Sequence, residues 1–362
     1  MKKSEAELQK EIEKAYEGCK YKKALEVCKG AIENYPENVD FYFLKGKILM
    51  GQENYDEAIS EFDLAISKGA DREKCLYNKA YCYDILEDYD KAIEFYNITL
   101  KINHENLDAM SNLSVLLHEQ GKFKEELKHL NKMHEISPDN LDFMYYLADT
   151  LVELENYEDG IKYLDMILES DPNYVYAYLK KGVIFENKKS YEKALEYFDK
   201  AIKLDKDYLD PYVYSGMIFT EQEKYQKALE CFDKAIEIDE DDPFPYYNKA
   251  ILLETQGKYE EAEKYFRNTI KFTDDTQSAY FHLGYVLDGQ NNYEQAIECY
   301  EKAIELDNKD EVSYNNKGYD LYKLERFQEA LESFNRSLKI NPRYELAINN
   351  MAKTLEQLRV KS

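Results

Sequence analysis

The feature that most constrains this chain is a period. Tyr191 to Ile202 reads YEKALEYFDKAI, and related stretches begin at Tyr225 (YQKALECFDKAI), Tyr259 (YEEAEKYFRNTI), Tyr293 (YEQAIECYEKAI) and Phe327 (FQEALESFNRSL), each 34 residues after the last. A repeat of this length is the mark of one supersecondary unit stacked many times, each copy burying its apolar face on its neighbours. With position 1 of the unit at Glu5, ten units run without insertion or deletion through Tyr344. They begin at Glu5, Val39, Glu73, Leu107, Leu141, Val175, Leu209, Pro243, Gln277 and Glu311, and residues 345–362 supply half of an eleventh. Position 17 is aromatic in all ten, which sets the phase.

Each unit encodes two helices. In Tyr191–Ile202 the apolar residues Tyr191, Ala194, Leu195, Phe198, Ala201 and Ile202 form one helical stripe. Val175–Asn187 places Tyr178, Gly182 and Phe185 on one side of a preceding helix, and the polar turn Lys188–Ser190 folds the two into an antiparallel pair. Prolines agree with this phase. Pro36, Pro138, Pro172 and Pro342 fall just beyond a second helix, while Pro211, Pro243 and Pro245 fall in the first turn of a first helix, where a missing N–H is tolerated. The acidic run Asp239–Asp242 suits the helix N-terminus that follows it. Position 8 is small in nearly every unit (Gly46, Ala80, Ser114, Ala148, Gly182, Gly216, Ala250, Gly284, Gly318, Ala352), which predicts a close helix approach with Ala at position 20 as its partner surface.

At this point the chain resembles the tetratricopeptide repeat (TPR) family over essentially its whole length. The resemblance rests on aromatics at position 4 (Tyr178, Tyr212, Tyr246, Tyr280, Tyr314), Gly or Ala at position 8, aromatics at 17 and 24, and Ala at 20 and 27. It implies an all-α fold, a TPR α-solenoid in which antiparallel helix pairs form a right-handed superhelix whose first helices line a concave groove. Residues 345–362, ending in polar Gln357, Arg359 and Lys361, read as a C-terminal capping helix. Units four and five depart from the pattern: Glu126 and Gly160 stand at position 20, Leu130 and Leu164 at 24, Met133 and Ile167 at 27. Larger groups at interlocking positions predict a changed helix angle, and with it a change of curvature, between residues 120 and 170.

Catalysis is not expected. The chain has no P-loop, GxSxG, HExxH or paired CxxC motif, and its histidines (His104, His118, His129, His134, His282) lack metal-ligand spacing, so neither cofactor nor metal is predicted. The six cysteines read as reduced thiols, with Cys28 buried as a small hydrophobe. The net charge of −25 argues against nucleic acid or an anionic membrane surface as partner and towards a basic one. No apolar run is long enough to span a bilayer and MKKSEAELQK lacks an apolar signal core, so a cytoplasmic location is expected.

Function is therefore sought on the first helices. The resemblance implies that positions 2, 5, 6, 9 and 12 face the groove. Tyr77, Tyr145, Tyr247 and Phe281 at position 5, with Tyr81 and Tyr285 at position 9, are candidate anchors for a partner segment or, alternatively, packing between neighbouring helices. Asp108, Asp142 and Asp149 stand for a wider acidic border (Asp40, Asp84, Asp210, Glu254, Asp288, Asp320) that favours a basic segment, extended or helical. Asn78, Asn112, Asn248, Asn316 and Asn350 at position 6 resemble a broken asparagine ladder for gripping a peptide backbone. The family's carboxylate clamp for chaperone tails is missing: no position 5 is Lys and no position 6 is Arg. Two roles follow, a non-catalytic scaffold binding a partner segment in its groove, or a structural subunit fixed in a large assembly through outer and edge surfaces.

Overall fold

The computed structural model describes residues 3–361, so Ser362 of the capping segment lies outside the described residues. Helices alternate from α1 (Glu5–Glu17) and α2 (Tyr21–Asn34) to α19 (Glu311–Lys323) and α20 (Phe327–Ile340), followed by α21 (Glu345–Lys361). Two compact units result: Met1–Pro172 contains α1 to α10, and Asn173–Ser362 contains α11 to α21. Each is an all-α solenoid of antiparallel helix pairs, every helix packing on the next within its unit.

Repeat six shows the local logic. Its first helix α11 (Val175–Asn187) has 13 residues and its second, α12 (Tyr191–Leu204), has 14. The turn between them bends through one left-handed residue, Lys189, with φ 54°. The same position is left-handed in every repeat, at Cys19, Glu53, Glu87, Gly121, Glu155, Glu223, Gly257, Asn291 and Glu325 as well, yet only Gly121 and Gly257 are glycines. Polarity alone had suggested this turn; the backbone geometry is what recurs.

The partner of the small residue at position 8 differs from the expectation. A Cβ added at Gly46 or Gly216 would lie 2.5 Å from Cε1 of Phe62 or Phe232, and one at Gly318 would lie 2.6 Å from Phe334. Gly182 meets Phe198 in the same way. The closest neighbour is thus the ring at position 24, fully buried in these repeats, and not the alanine at position 20. The position 17 aromatics are also less buried than their regularity suggested. Tyr89 and Tyr225 are both 38% exposed, because the ring lies over the end of the next repeat's first helix, as Tyr21 does on Gly51 and Tyr259 on Gly289.

Polar ties recur beside the apolar ones. Lys79 and Lys249, nearly buried at position 7, each cover a position 23 ring (Phe95, Tyr265), with the ammonium 4.3 Å from the ring centre. Each also reaches an aspartate of the preceding repeat, Asp63 or Asp233. A cation held by both a ring and a carboxylate keeps its charge satisfied where water is scarce. Tyr42 and Tyr246 at position 4 donate 3.0 Å hydrogen bonds to the carbonyls of Pro36 and Glu240, fastening the preceding loop. Asn38, Asn106, Asn140, Asp242 and Asp310 cap the first helices that follow them, including the acidic-run N-terminus foreseen at Asp242.

Repeat four replaces this scheme. In α8 (Phe123–Ile136), Glu126 is 3% exposed where eight repeats have alanine, and Leu130 stands where seven have a ring. His118, on α7 (Leu107–Glu119), places Nδ1 3.1 Å from Glu126 Oε2. The leucine does not replace the ring's volume, and a cleft remains between these helices and α9 (Leu141–Glu153).

The C-terminal helix packs on α20 through Ala347 and Thr354, both fully buried. Its exposed side mixes polar Glu345, Asn349, Lys353, Glu356 and Arg359 with Leu346, Ile348, Leu355 and Val360, the last four 40% exposed or more. Cys28 is buried as expected, and burial pushes its thiol up to about 12.

Candidate interaction surface

Among the large apolar side chains exposed on first helices of the ten repeats are Tyr81, Val115, Tyr146, Tyr176, Phe244 and Tyr285. They occupy positions 2, 6 and 9, and Ile85 at a helix end is the exception. Positions 4, 7, 8 and 11 of these helices turn inward, which leaves positions 2, 6 and 9 on the other side of the helix.

In the first unit, Tyr77 and Asn112 come together. Asn112 donates from Nδ2 to the hydroxyls of Tyr96 (3.1 Å) and Tyr77 (3.3 Å), and Tyr96 donates onward to Asp84 Oδ2 (3.4 Å). Tyr77 also packs on Tyr96, with ring centres 6.0 Å apart. Tyr81 is 37% exposed one turn along the same helix, α5 (Arg72–Ile85). Asn78 turns its amide back to the Lys74 carbonyl at 2.7 Å. Tyr145 is half-buried beside Tyr146. Asp108 and Asp142 are exposed, and Asp149 lies partly buried with Oδ2 4.0 Å from His118 Nε2.

In the second unit the position 5 rings are half-buried. Tyr247 packs on Phe266 and His282, and Phe281 on Tyr300. His282 Nδ1 lies 2.9 Å from Glu254 Oε2, which ties two repeats together. Tyr285 remains 42% exposed. Asn248 donates to the Phe244 carbonyl (2.9 Å), Asn316 accepts from Asn315 (3.1 Å), and Asn350 donates to Asn315 Oδ1 (3.1 Å). The asparagine amides are therefore engaged locally, three of them within or beside their own helix. Of the position 5 rings, Tyr77, Tyr247 and Phe281 pack between neighbouring helices, leaving Tyr81 and Tyr285 the more exposed of the candidate residues.

One member of the acidic border is misplaced. Asp320 is completely buried, not on the groove, and its carboxylate oxygens meet no donor among the described residues. Burial, reinforced by the neighbouring Asp288, pushes its carboxyl up to about 9. Asp288 and Asp84 are half-buried and are also raised, chiefly by burial. The repeat register carried the signal for Asp320: it stands at position 10, where other repeats have buried Ile48, Cys82, Leu116, Thr150, Ile184, Ile218, Leu252 and Val286, whereas the other border carboxylates stand at positions 2, 9 and 12. Val115 and Tyr146 are surface residues that the sequence reading did not single out; their apolar character at positions 9 and 6 was the available signal.

Stacked helix pairs with exposed apolar side chains on the first helices make each unit a solenoid that presents an extended surface. The chain belongs to the tetratricopeptide repeat family. Models of the tetratricopeptide repeat match residues 14–73, 145–208, 245–273, 278–310 and 312–344, and a TPR repeat model matches 216–257. The model of anaphase-promoting complex, cyclosome, subunit 3 matches 86–167, and a Sel1 repeat model matches 73–98. No curated protein matches the chain in sequence. Among solved structures, yeast Tom70 is similar at 17% identity and a TM-score of 0.55, over 100% of this chain and 91% of that one. A tetratricopeptide repeat protein from Parabacteroides merdae is similar at 19% identity and a TM-score of 0.54, over 69% of this chain and 98% of that one. At these identities the likeness concerns the fold.

Proposed function

We propose that this chain is a non-catalytic scaffold that holds a basic segment of a partner protein, extended or helical, against its first helices. The observation that carries the reading is the apolar stripe at positions 2, 6 and 9, accompanied by exposed Asp108 and Asp142. Aromatic anchors supply most of the binding energy in such interfaces, while surrounding carboxylates steer a basic partner and set its register. A groove lined by engaged asparagines favours recognition through side chains over recognition through the partner's backbone. The test is copurification from native extract with wild-type protein and with Asp108→Lys, Asp142→Lys and Asp149→Lys. Loss of a wild-type partner in these variants supports the reading, and unchanged recovery of every partner sinks it.

A second reading is favoured by a different surface. Leu346, Ile348, Leu355 and Val360 on α21, with Ile102, Leu204 and Leu306 at position 30 of three second helices, are exposed apolar groups away from the groove. A structural subunit held in an assembly through its outer and edge surfaces would cover them. Partner recovery lost on Leu346→Glu with Leu355→Glu, and retained on the aspartate reversals, selects this reading.

A further inference from the structure

The cleft in repeat four has a volume of about 210 Å³. A dry protein cavity of roughly 150 Å³ takes up benzene, so this space accepts a side chain. Its walls are apolar: Leu130 and Met133 from α8, Val115 from α7, Tyr146 from α9. Its polar groups are mostly acceptors, Glu119, Glu126 and Asp149 with the hydroxyls of Ser111 and Ser114, beside one imidazole, His118, which faces Glu126 and Asp149. Glu126 presents a buried carboxylate, Asp149 a partly buried one, and Ser114 an oxygen that is buried and has no hydrogen-bond partner among the described residues. Val115 and Tyr146 at the cleft, 54% and 46% exposed, belong to the apolar stripe, so the opening faces the surface assigned to the partner.

We propose that this cleft receives the side chain of a lysine from the partner segment. The inference rests on the partner-binding reading above and names the chemistry of one of its contacts. A lysine carries an apolar four-carbon stem, suited to Val115, Leu130, Met133 and Tyr146, and a compact ammonium with three donors for Ser114 Oγ, Glu126 and Asp149. Arginine fits less well. Its fork needs a free bidentate carboxylate edge, whereas both oxygens of Glu126 already face His118 Nδ1, at 3.1 and 3.2 Å. An anion is excluded by the two carboxylates, and a purely apolar group would leave the Ser114 oxygen and Glu126 without a new partner.

The experiment uses the full chain with ¹³C-methyl methionine, assigning Met133 by its loss in Met133→Leu. Titration with n-butylammonium chloride is expected to shift the Met133 methyl, and n-butanol, its neutral counterpart, is expected not to. A fluorescein-labelled Gly-Lys repeat peptide should bind at least tenfold more tightly than its norleucine counterpart. Glu126→Gln should reduce that preference roughly tenfold, the scale of a hydrogen bond to a charged group. The double variant Ser114→Gly with Leu130→Phe, which refills the cleft with the regular packing, should abolish it while retaining helicity and a cooperative melt. Equal responses to the amine and the alcohol, an unmoved Met133, or an unaltered lysine preference in the refilled variant would each overturn the proposal. If the aspartate reversals release the native partner while Met133 ignores n-butylammonium, the groove reading survives and only the lysine assignment falls.

Discussion

In repeat six, Phe198 fills the space beneath Gly182 and Ala194 is fully buried on the same helix; in repeat four, Leu130 lies in the ring's position, Ser114 in the glycine's and Glu126 in the alanine's. The backbone scaffold is the same in both, with first helices of 13 residues and second helices of 14. What differs is whether the ring and the small residue are matched. A matched pair makes dense core and leaves no room for a guest, whereas the mismatched set leaves a cleft whose lining is available to chemistry. Regularity thus supplies dense packing in this molecule, and the exception leaves the open space on which the lysine proposal rests.

The largest expected effect tests the first half of that contrast. Phe198 is fully buried, and Phe198→Ala should destabilise the second unit by about 3–5 kcal/mol. Leu130→Ala, at a site already partly open, should fall near the lower end of the ~2–5 kcal/mol range for leucine. Because repeat arrays open locally, hydrogen exchange in α12 and α8 alongside urea melts is the proper measurement. Equal losses would remove the distinction between the two repeats.

Adding volume sharpens the same comparison with the opposite sign. Gly182→Leu must displace the Phe198 ring and should cost ~1–3 kcal/mol through overpacking. Ser114→Leu projects into the cleft and should cost under about 1 kcal/mol, or stabilise, because it fills space and removes a buried unpaired hydroxyl. A Ser114→Leu protein as damaged as Gly182→Leu, judged by urea midpoint at constant m, would mean that the cleft is not usable space.

How far this contrast was legible depends on what kind of fact each residue carries. The phase, the helix pairs and the family were readable because ten copies repeat the same apolar spacing, and noise in one copy is corrected by the others. Glu126, Leu130 and Met133 were readable as departures from that spacing. Whether the departures compensated in volume was not, since a cleft is set by how neighbouring side chains close around a missing ring. Asp320 is a different case: it stands at position 10, which holds buried Ile48, Leu116, Ile184, Ile218, Leu252 and Val286 in other repeats, so its burial was legible from the register once carboxylates were sorted by position and not only by helix. Identity at position 17 misled because a ring can recur to cover the next repeat's helix end without being enclosed.

Two buried carboxyl groups extend the comparison to pH. Glu126 is raised by burial, with Thr150 and His118 opposing the rise, while Asp320 has Asp288 beside it and is raised to about 9. An unfolded aspartate titrates near 3.9, so between these values the fold holds a proton that the unfolded chain has released. The stabilisation from that proton is fully present below about pH 4 and is lost as pH rises through about 9. Asp320→Asn keeps the shape, gives Asp288 an amide donor and removes this dependence. It should be more stable than wild type at pH 9, with the gain shrinking towards pH 5. Parallel stability curves for the two proteins across that interval would show that Asp320 does not hold its proton in the fold.

The smallest effect concerns the turn that both repeats share. Gly121 in repeat four and Lys189 in repeat six have the same left-handed backbone, φ 66° and 54°. A side chain in that region costs roughly 1–2 kcal/mol, offset in part by the lower conformational entropy that a non-glycine residue has in the unfolded chain. Gly121→Ala should therefore destabilise by about 1 kcal/mol, and Lys189→Gly should stabilise by about 0.5 kcal/mol. Nothing lies within 4 Å of a Cβ added at Gly121, so the alanine result reports backbone strain and not a clash. Opposite signs of this size would show that repeats four and six carry the same strain in their turns and differ only in their cores. The same sign for both substitutions would place part of the difference in the backbone and weaken the assignment of the cleft to side-chain mismatch alone.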